Sequence, residues 1–436
     1  MRASFGIVAG LALLTACTDP DPVLPGDREE VRPGRGPGVV AAASEAPGSA
    51  PISLPAARNL ADWPMRVGTA TNDPAHASLR EAPVLAWSAD IGQGDTRRQK
   101  ITADPVSDGT RVFALDARST VSATAVGGGT VWSRNLVPGT DRATDASGGG
   151  LAVVGGTLYV TTGFGELHAL DAATGQERWV QRLDAPLTTP KAVDGLVYVV
   201  SRDSRAWAID ADQGRIQWEL PSAPAASVTA TAPAPAIDGR LVVFPFGSGE
   251  IVAALRRTGV RVWGSSVSGR RLGVAYSGVG DITGDPVLSG GLAYAGTTAG
   301  RIVALNVNSG ERVWTAREGA VSPMVVKGGA VFAVTDRAQL VRLDAATGDV
   351  VWRADLPFYK ARRLGRREGV FVHYGPILAG GRLWVASSDG GLRAFDPVSG
   401  ALTAAADVPG GAASRPIVVG GTMYVVGRRG QLHAFR

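Results

Sequence analysis

The sequence predicts an all-β fold, an eight-bladed β-propeller over about residues 80–436, from three observations. Runs of β-branched and aromatic residues, separated by glycine turns, recur along that stretch. A tryptophan recurs at intervals of roughly 45 residues, the length of one four-stranded blade. The last copy stops before its tryptophan strand, and an unmatched tryptophan strand precedes the first copy. These patterns exclude an all-α protein and a chain disordered throughout.

The clearest copy of the repeat runs from Gly156 to Trp179 and reads GTLYVTTGFGELHALDAATGQERW. Its apolar runs are typical of pleated strands that are at least half buried. Its Gly-Gly and Thr-Gly turns supply the positive φ that tight connections need. The aspartate before Thr-Gly is explained by an Asx turn that hydrogen-bonds the following backbone. We therefore interpret each copy as one four-stranded sheet.

The recurring tryptophans are interpreted as a packing device between blades. A flat ring at a fixed place in the outer strand can press on small residues of the next blade. An aromatic ligand box is the alternative that we favour less. Ala404 stands at the tryptophan position of the seventh copy. The predicted blade-docking residues are Trp87, Trp132, Trp179, Trp218, Trp263, Trp314 and Trp352.

Closure of the ring is predicted from the two ends of the repeat region. The last copy ends at Arg436, before its outer strand, and the segment around Trp87 belongs to no complete copy. If the first strand completes the last blade, the final copy gains its missing strand and the ring closes without a covalent link between its ends. A solenoid is the alternative, but it would need atypical capping repeats rather than a divided one.

The N-terminal residues are predicted to be a targeting signal and a membrane tether rather than part of the fold. Arg2 and a short apolar run indicate a secretory signal peptide over residues 1–16. The run ends Leu-Thr-Ala-Cys17, which resembles a bacterial lipobox and predicts lipid attachment at Cys17; a chance cysteine is the alternative. Thr18 after the cysteine favours the outer membrane. Residues 17–56 are predicted to be a Pro/Gly-rich tether, and residues 57–79 a lead-in segment.

Composition and missing motifs exclude several function classes. The net charge is +5, and the basic residues are spread through loops among acids, so we expect no nucleic-acid binding. The sequence contains no Gly-Lys phosphate loop and no Gly-x-Ser-x-Gly nucleophile elbow. With one cysteine and four scattered histidines, we also expect no metal site. No catalytic residue is predicted.

Three long inter-blade loops remain as candidate binding sites, because loops on a rigid ring often carry binding residues. The three are Gln93–Ile101, Ser265–Asp285 and Pro357–Phe371. The charged residues of Ser265–Asp285 are the predicted partner-binding residues Arg270, Arg271, Asp281 and Asp285. An ordinary solvated surface is the alternative.

The unit Leu-x-Ala-Leu-Asp-Ala-x-Thr-Gly-x-x-x-Trp resembles the PQQ-like propeller repeat, across about residues 80–436. Within that superfamily the chain is similar to the BamB family, on the lipobox at Cys17, the single eight-bladed domain and the C-terminal closure. The other class is the PQQ-dependent quinoprotein oxidoreductases, whose adjacent-cysteine disulfide a single cysteine cannot form. Another envelope-anchored protein-binding propeller is the third alternative.

Resemblance to the BamB family implies a non-enzymatic lipoprotein scaffold of the outer-membrane β-barrel assembly (BAM) complex, with no cofactor. The implied partners are a BamA-type barrel-insertion subunit with its POTRA domains, other BAM components and unfolded outer-membrane protein clients. The implied location is the periplasmic face of the outer membrane, through the lipid anchor. Asp281 and Asp285 fall in a segment similar to the family's acidic loop. We therefore expect their reversal to lysine to weaken partner binding and to leave the melting temperature nearly unchanged.

Overall fold

The computed structural model describes residues 52–225, 233–267, 269, 279–361, 363 and 369–436. Within these ranges the secondary structure is entirely β, with 32 strands in eight four-stranded antiparallel sheets. The prediction of an all-β, eight-bladed propeller is therefore confirmed. The same ranges hold no helix of the length and apolar character that a bilayer crossing requires. Cys17, the predicted signal peptide and residues 17–51 of the predicted tether lie outside the described residues. The last residues of the predicted tether are part of the fold, since Ile52 and Leu54 pack against the hydrophobic core.

Each blade uses four strands, and seven of the eight blades are continuous in sequence. The first four blades contain β2 (Val106–Ser107), β3 (Arg111–Leu115), β4 (Thr120–Ala125), β5 (Thr130–Asn135); β6 (Gly149–Val154), β7 (Thr157–Thr162), β8 (Glu166–Asp171), β9 (Glu177–Arg182); β10 (Lys191–Val193), β11 (Leu196–Val200), β12 (Arg205–Asp210), β13 (Ile216–Pro221); β14 (Ala236–Asp238), β15 (Leu241–Pro245), β16 (Glu250–Leu255) and β17 (Arg261–Ser266).

The remaining four blades follow in the same order. They contain β18 (Ile282–Ser289), β19 (Leu292–Thr297), β20 (Arg301–Asn306), β21 (Arg312–Ala316); β22 (Val325–Lys327), β23 (Ala330–Val334), β24 (Gln339–Asp344), β25 (Val350–Asp355); β26 (His373–Ala379), β27 (Arg382–Ser387), β28 (Gly391–Phe395), β29 (Leu402–Asp407); β30 (Ile417–Val419), β31 (Thr422–Gly427), β32 (Gln431–Phe435) and β1 (Leu85–Asp90).

The burial pattern follows from stacking sheets face to face around an axis. The two middle strands of a blade, such as β7 and β8, are buried along nearly their whole length because both faces meet a neighbouring blade. The outermost strands, such as β9, are largely exposed. The hydrophobic core is divided into clusters, most of which join residues of two adjacent blades. Burial between blades therefore holds the ring together.

The eighth blade joins the two ends of the repeat region. Strand β1 pairs antiparallel with β32, with Trp87 opposite Ala434 and Ser88 opposite His433. Val84 and Arg436 exchange two backbone hydrogen bonds of 2.7 and 2.9 Å. The predicted closure by the first strand is confirmed, and it requires no covalent link between the ends.

The lead-in segment is an integral part of the ring. It runs along the inner strands of the blades in ring order, and it contacts all eight blades. The contacts are Leu60 with Gly420, Trp63 with Ser107, Pro64 with Val153, Thr69 with Lys191, Ala70 with Ile237, Thr71 with Leu288, Asp73 with Lys327 and Ala77 with Leu378. The sequence did not predict this circuit.

The lead-in segment distinguishes the two faces of the ring. It bonds the C-terminal parts of inner strands such as β18 and β26. Each inter-blade loop leads into the N-terminal end of an inner strand, on the face of the ring opposite to the lead-in segment. We call this the loop face. The central channel thus holds the lead-in segment at one end and is bordered by the long loops at the other.

The tryptophan rings contact glycines of the following blade. Six of them lie against the glycine of a Thr-Gly or equivalent turn, and a Cβ added there would come within 2.6–2.7 Å of the ring. Each of these six indole Nε1 atoms donates a hydrogen bond of 2.8–3.2 Å to a carbonyl of that blade. The pairs are Trp132 with Gly175, Trp179 with Gly214, Trp218 with Gly259, Trp263 with Gly310, Trp314 with Gly348 and Trp352 with Gly400.

We predict that Gly175→Ala destabilises the ring by more than Gly156→Ala does. Both glycines have a positive φ, +73° and +74°, so alanine is strained at either position. Only at Gly175 would the new methyl group meet an indole, that of Trp132, at 2.7 Å; nothing lies within 4 Å at Gly156. We expect an additional loss of about 1–3 kcal/mol for Gly175→Ala. Urea unfolding measures both, and equal losses would contradict packing of the indole on the glycine.

Candidate functional site

Of the four predicted partner-binding residues, two lie outside the described residues and two are buried. Arg270 and Arg271 lie outside the described residues. Asp285 lies in β18, the inner strand of its blade, and is fully buried. Asp281 precedes that strand, is only 4% exposed and faces Arg202. The sequence places both carboxylates on an exposed partner-binding loop, where reversal to lysine leaves the melting temperature nearly unchanged. Their burial does not agree with that placement, since Asp285 belongs to the inner strand and Asp281 directly precedes it.

Asp285 belongs to a cluster of five charged side chains near the ring axis. The Nε atom of Arg66 lies 3.2 Å from Asp285 and 3.4 Å from Asp104. The backbone N–H of Arg415 donates to Asp104 over 2.8 Å, and Lys191 Nζ donates to the Thr69 carbonyl over 2.5 Å. All five side chains are at most 7% exposed. The cluster joins the lead-in segment to four blades.

The repeat itself positions three members of this central charged cluster. Asp104, Asp285 and Arg415 each stand directly before a proline. Asp104 and Arg415 come just before the inner strands β2 and β30, and Asp285 lies in the first half of the longer inner strand β18. Proline favours extended backbone at the residue before it, which suits entry into a strand. Ring symmetry then brings these equivalent positions from three different blades together at the axis. A charged residue before proline was the sequence signal that identifies them.

Burial shifts the ionisation of the central charged cluster. It lowers the pKa of Lys191 to about 7, against the opposing attraction of Asp285. It lowers the pKa of Arg415 to about 10, so this guanidinium remains charged at neutral pH. It raises the pKa of Asp285, while Arg66 and Lys191 oppose that shift. The common cause is desolvation, which disfavours each charged form.

We predict that stability rises with pH between about 7 and 10 because of Lys191. The pKa of this lysine is about 7 in the folded chain and near 10.4 when unfolded. Over that window the unfolded state binds more protons, so raising the pH favours the folded state. Lys191→Met should remove this dependence. Urea midpoints of both proteins at neutral and alkaline pH measure the difference, and parallel pH profiles would contradict the assignment.

A cavity of about 300 Å³ opens beside the central charged cluster on the loop face. Arg66 and Arg415 contribute to its lining from the ring interior, and Lys100, Lys360 and Arg428 from loops and turns. Asp95 and Asp104 are its two carboxylates. Five cationic side chains therefore line the cavity together with two carboxylates.

Two further polar residues line this loop-face cavity. His373 Nε2 donates to the Pro357 carbonyl over 2.8 Å, and Nδ1 accepts from Ser387 Oγ over 2.7 Å. Burial lowers the pKa of His373, so the ring is neutral at pH 7. Burial raises the pKa of the Tyr374 hydroxyl, which therefore remains protonated and able to donate. The cavity thus has a net positive charge and a hydroxyl donor in Tyr374, whereas both ring nitrogens of His373 are already bonded.

The ring centre does not fit the calcium ion that accompanies PQQ in quinoprotein enzymes. Calcium takes six to eight oxygen ligands, usually including several carboxylates. Here Asp104 and Asp285 share the Arg66 guanidinium, with Lys191 and Arg415 beside them, so a cation would meet like charge. The described residues also contain no group of three or more His, Cys, Asp or Glu side chains placed to hold a metal.

The outer surface of the ring offers a second kind of site. Each outermost strand has a sheet neighbour on one side only, within the residues that the structure describes. Its free edge presents backbone groups that an added strand could bond. Several of these strands also carry exposed aliphatic side chains, namely Val131, Val180, Ile216, Val262, Val313 and Leu402.

A family model described as outer membrane protein assembly factor BamB matches residues 109–354, more than half of the chain. The BamB of Yersinia pestis is 27% identical over 252 residues, which are 56% of this chain and 64% of that protein. The chain thus matches slightly less than two thirds of this relative's length.

Solved structures show the same fold. BamB from Moraxella catarrhalis has a TM-score of 0.67 and 19% identity, covering 81% of this chain and 100% of that one. The quinohemoprotein alcohol dehydrogenase from Comamonas testosteroni has a TM-score of 0.66 and 17% identity, covering 87% and 81%. At these identities both likenesses concern the fold alone.

Proposed function

The chain belongs to the family of the outer membrane protein assembly factor BamB, and from this membership we propose that it is a non-enzymatic scaffold of the BAM complex. In this role it binds a BamA-type barrel-insertion subunit and assists the folding and insertion of outer-membrane proteins. Its partners are the POTRA domains of that subunit, other BAM components and unfolded clients. The single observation that carries the proposal is the BamB family match across the repeat region, residues 109–354.

The architecture supports a scaffold role. A ring whose blades are locked by indole–glycine contacts and by the lead-in segment is a rigid platform, and binding residues gather on the loops of such platforms. The cationic ring centre, where Asp104 and Asp285 share Arg66, gives no support to calcium-assisted chemistry. We propose no catalytic residue and no cofactor.

We propose that the scaffold is held at the periplasmic face of the outer membrane by lipid on Cys17. Several acyl chains on one cysteine would give stable anchoring, since each buried CH₂ contributes about 0.8 kcal/mol. The proposed tether over residues 17–56 would let the ring approach a partner at a distance of roughly 30–40 Å from the membrane surface.

Two surfaces are proposed for docking. A segment of the partner would extend a free outer-strand edge by main-chain hydrogen bonds, with exposed side chains such as Val131 and Val313 adding apolar contact. Arg270 and Arg271 remain proposed partner-binding residues, whose charges would set register and association rate more than affinity. Asp281 and Asp285 are not included, because their side chains are buried.

Affinity capture of the full-length lipidated chain from its own envelope tests the proposal. In mild detergent we expect the barrel-insertion subunit and other BAM components to co-purify. Arg270→Glu with Arg271→Glu should reduce that recovery, whereas the matched reversal Arg240→Glu with Arg257→Glu, in exposed turns away from the outermost strands, should not. Recovery of intact ring without any BAM component would reject the scaffold role.

A PQQ-dependent oxidoreductase is the alternative, and it rests on the shared propeller fold. PQQ and calcium added to the purified chain, with an alcohol or sugar and a dye, would then give dye reduction. Our proposal predicts no turnover above that of a heat-unfolded sample. Recovery of a different envelope protein in the capture would instead favour another protein-binding propeller.

A further inference from the structure

The loop-face cavity lies in the central channel and is built by four consecutive blades. Most of its lining residues come from the start of the inner strands or from the loops before them, for example Asp104, Ser322, Tyr374 and Arg415. Lys360 and Val372 at its rim are exposed, so the cavity is open to solvent. Its volume of about 300 Å³ is at the low end of ligand pockets. That volume admits one or two side chains rather than a folded element.

The positive charge of this cavity is only partly compensated. The Oδ2 atom of Asp95 lies 3.8 Å from Lys100 Nζ and 3.5 Å from Arg428 Nε, so two cations share one carboxylate. Lys360 has no ion-pair partner among the described residues. Buried or crowded charges of one sign that exceed their partners favour an incoming ligand of opposite sign.

The floor of the cavity has unused hydrogen-bonding capacity. Arg415 donates through Nε and Nη2 to the Pro376 carbonyl, over 3.2 and 2.7 Å. Its Nη1 atom is buried and has no hydrogen-bond partner among the described residues. Such an unmade bond is costly, and a small shift of the side chain toward an anion would satisfy it.

The walls determine which anion fits. Ile101, Val321, Val372 and Ala413 line the cavity between the cationic groups. Aliphatic walls with charged donors at floor and rim suit a carboxylate carried on a short aliphatic stem. A glutamate or aspartate side chain has this form, and its polypeptide backbone can lie across the mouth.

We propose that the loop-face cavity binds an acidic segment of a polypeptide, which inserts one or two carboxylate side chains among Lys100, Lys360 and Arg428. Family membership assigns no ligand to this cavity, and the proposal stands independently of which complex the ring joins. Charge complementarity selects the occupant, and the exposed rim cations attract it from solution.

Fluorescence anisotropy tests the proposal on the purified full-length chain in mild detergent. The probe is a short labelled peptide with two adjacent glutamates between aliphatic residues, and the comparison peptide has glutamines in their place. We expect saturable binding of the glutamate peptide at physiological salt, weakening as salt rises, and no saturable binding of the glutamine peptide. Glutarate should compete only at much higher concentration.

The combined variant Lys100→Gln, Lys360→Gln and Arg428→Gln should weaken binding of the glutamate peptide by about tenfold or more. These three side chains lie at the rim, so we expect an unchanged circular dichroism spectrum, but the melting temperature should fall modestly because Asp95 loses both cationic partners. Lys100→Gln with Lys360→Gln keeps Arg428 beside Asp95 and should weaken binding at an unchanged melting temperature. The matched control removes three positive charges from the outer strands, at Arg134, Arg178 and Arg182. It should bind like the unmodified chain.

Three outcomes would overturn the proposal: equal binding of both peptides, equal weakening by the cavity and outer-strand variants, or binding of glutarate without binding of the peptide. The envelope capture described above reports on the scaffold role separately. Failure of peptide binding with BAM components still recovered would reject the cavity alone. Loss of BAM components with peptide binding intact would reject the scaffold role alone.

Discussion

Trp352→Ala is expected to lower the free energy of unfolding by about 3–5 kcal/mol. This indole is 1% exposed, lies over Gly400 of the next blade and donates to the Pro397 carbonyl over 3.2 Å. Alanine would leave a cavity between two blades and an unmade hydrogen bond. Urea unfolding followed by far-UV circular dichroism measures the loss.

Trp87→Ala is the matched control for this prediction. Trp87 stands at the equivalent position of the closing blade, but it is only half buried and its Nε1 atom has no hydrogen-bond partner among the described residues. The nearest glycine, Gly128, is also less crowded by the indole, at 3.3 Å. We expect a clearly smaller loss for Trp87→Ala, and a loss below about 1 kcal/mol for Trp352→Ala would contradict the packing role.

Asp285→Ala is the second substitution with a large expected effect, a loss of about 3–5 kcal/mol. Removing this fully buried carboxylate takes away one of the two acids that face Arg66, and Arg66 and Arg415 remain charged. An uncompensated charge in the interior is costly because it cannot be hydrated. Thermal and urea unfolding measure the effect.

Two controls separate charge from packing at Asp285. Asp285→Ala combined with Lys191→Met removes a cation together with the anion, so we expect the double variant to be more stable than Asp285→Ala alone. Asp171→Ala removes a partly exposed turn carboxylate that accepts hydrogen bonds from Thr174 and Arg178, so it should cost clearly less stability than Asp285→Ala. A melting temperature for Asp285→Ala equal to that of the unmodified chain would show that the central charged cluster does not hold the ring.

The blades and their closure could be predicted because the information is local and repeated. Each copy carries its own strand pattern, turn glycines and tryptophan, so eight weak signals support one another. The final copy lacks one strand, and one unmatched strand around Trp87 precedes the first copy. Counting strands therefore predicts that the two ends build one blade. Strand pairing of Trp87 with Ala434 follows directly.

The ring interior could not be predicted in the same way. The lead-in segment bonds the blades mostly through backbone groups, as Ala70 does with Ile237, and backbone bonds leave no periodic pattern in the sequence. The charges of the central cluster are far apart in the chain and meet only through ring geometry. Asp285 was therefore interpreted as a loop carboxylate, although its position before Pro286 matches that of Asp104 and Arg415.

The central claim is that the two ends of one chain build a single blade, and a disulfide between β1 and β32 tests it most directly. Ser88 and His433 are directly opposite each other in the antiparallel pair, and Ser88 Oγ lies 2.8 Å from His433 Nδ1. The Cα atoms of such a pair are close enough for a disulfide between cysteines at these positions. Cys17, the only natural cysteine, is replaced by serine for this measurement.

With Ser88→Cys and His433→Cys together, mild oxidation should give one intrachain bridge that encloses most of the chain, seen as a faster band on a non-reducing gel. Ser88→Cys alone should give no such band. Absence of the bridge in the double variant, or bridges only between separate chains, would contradict closure of the ring by its own ends.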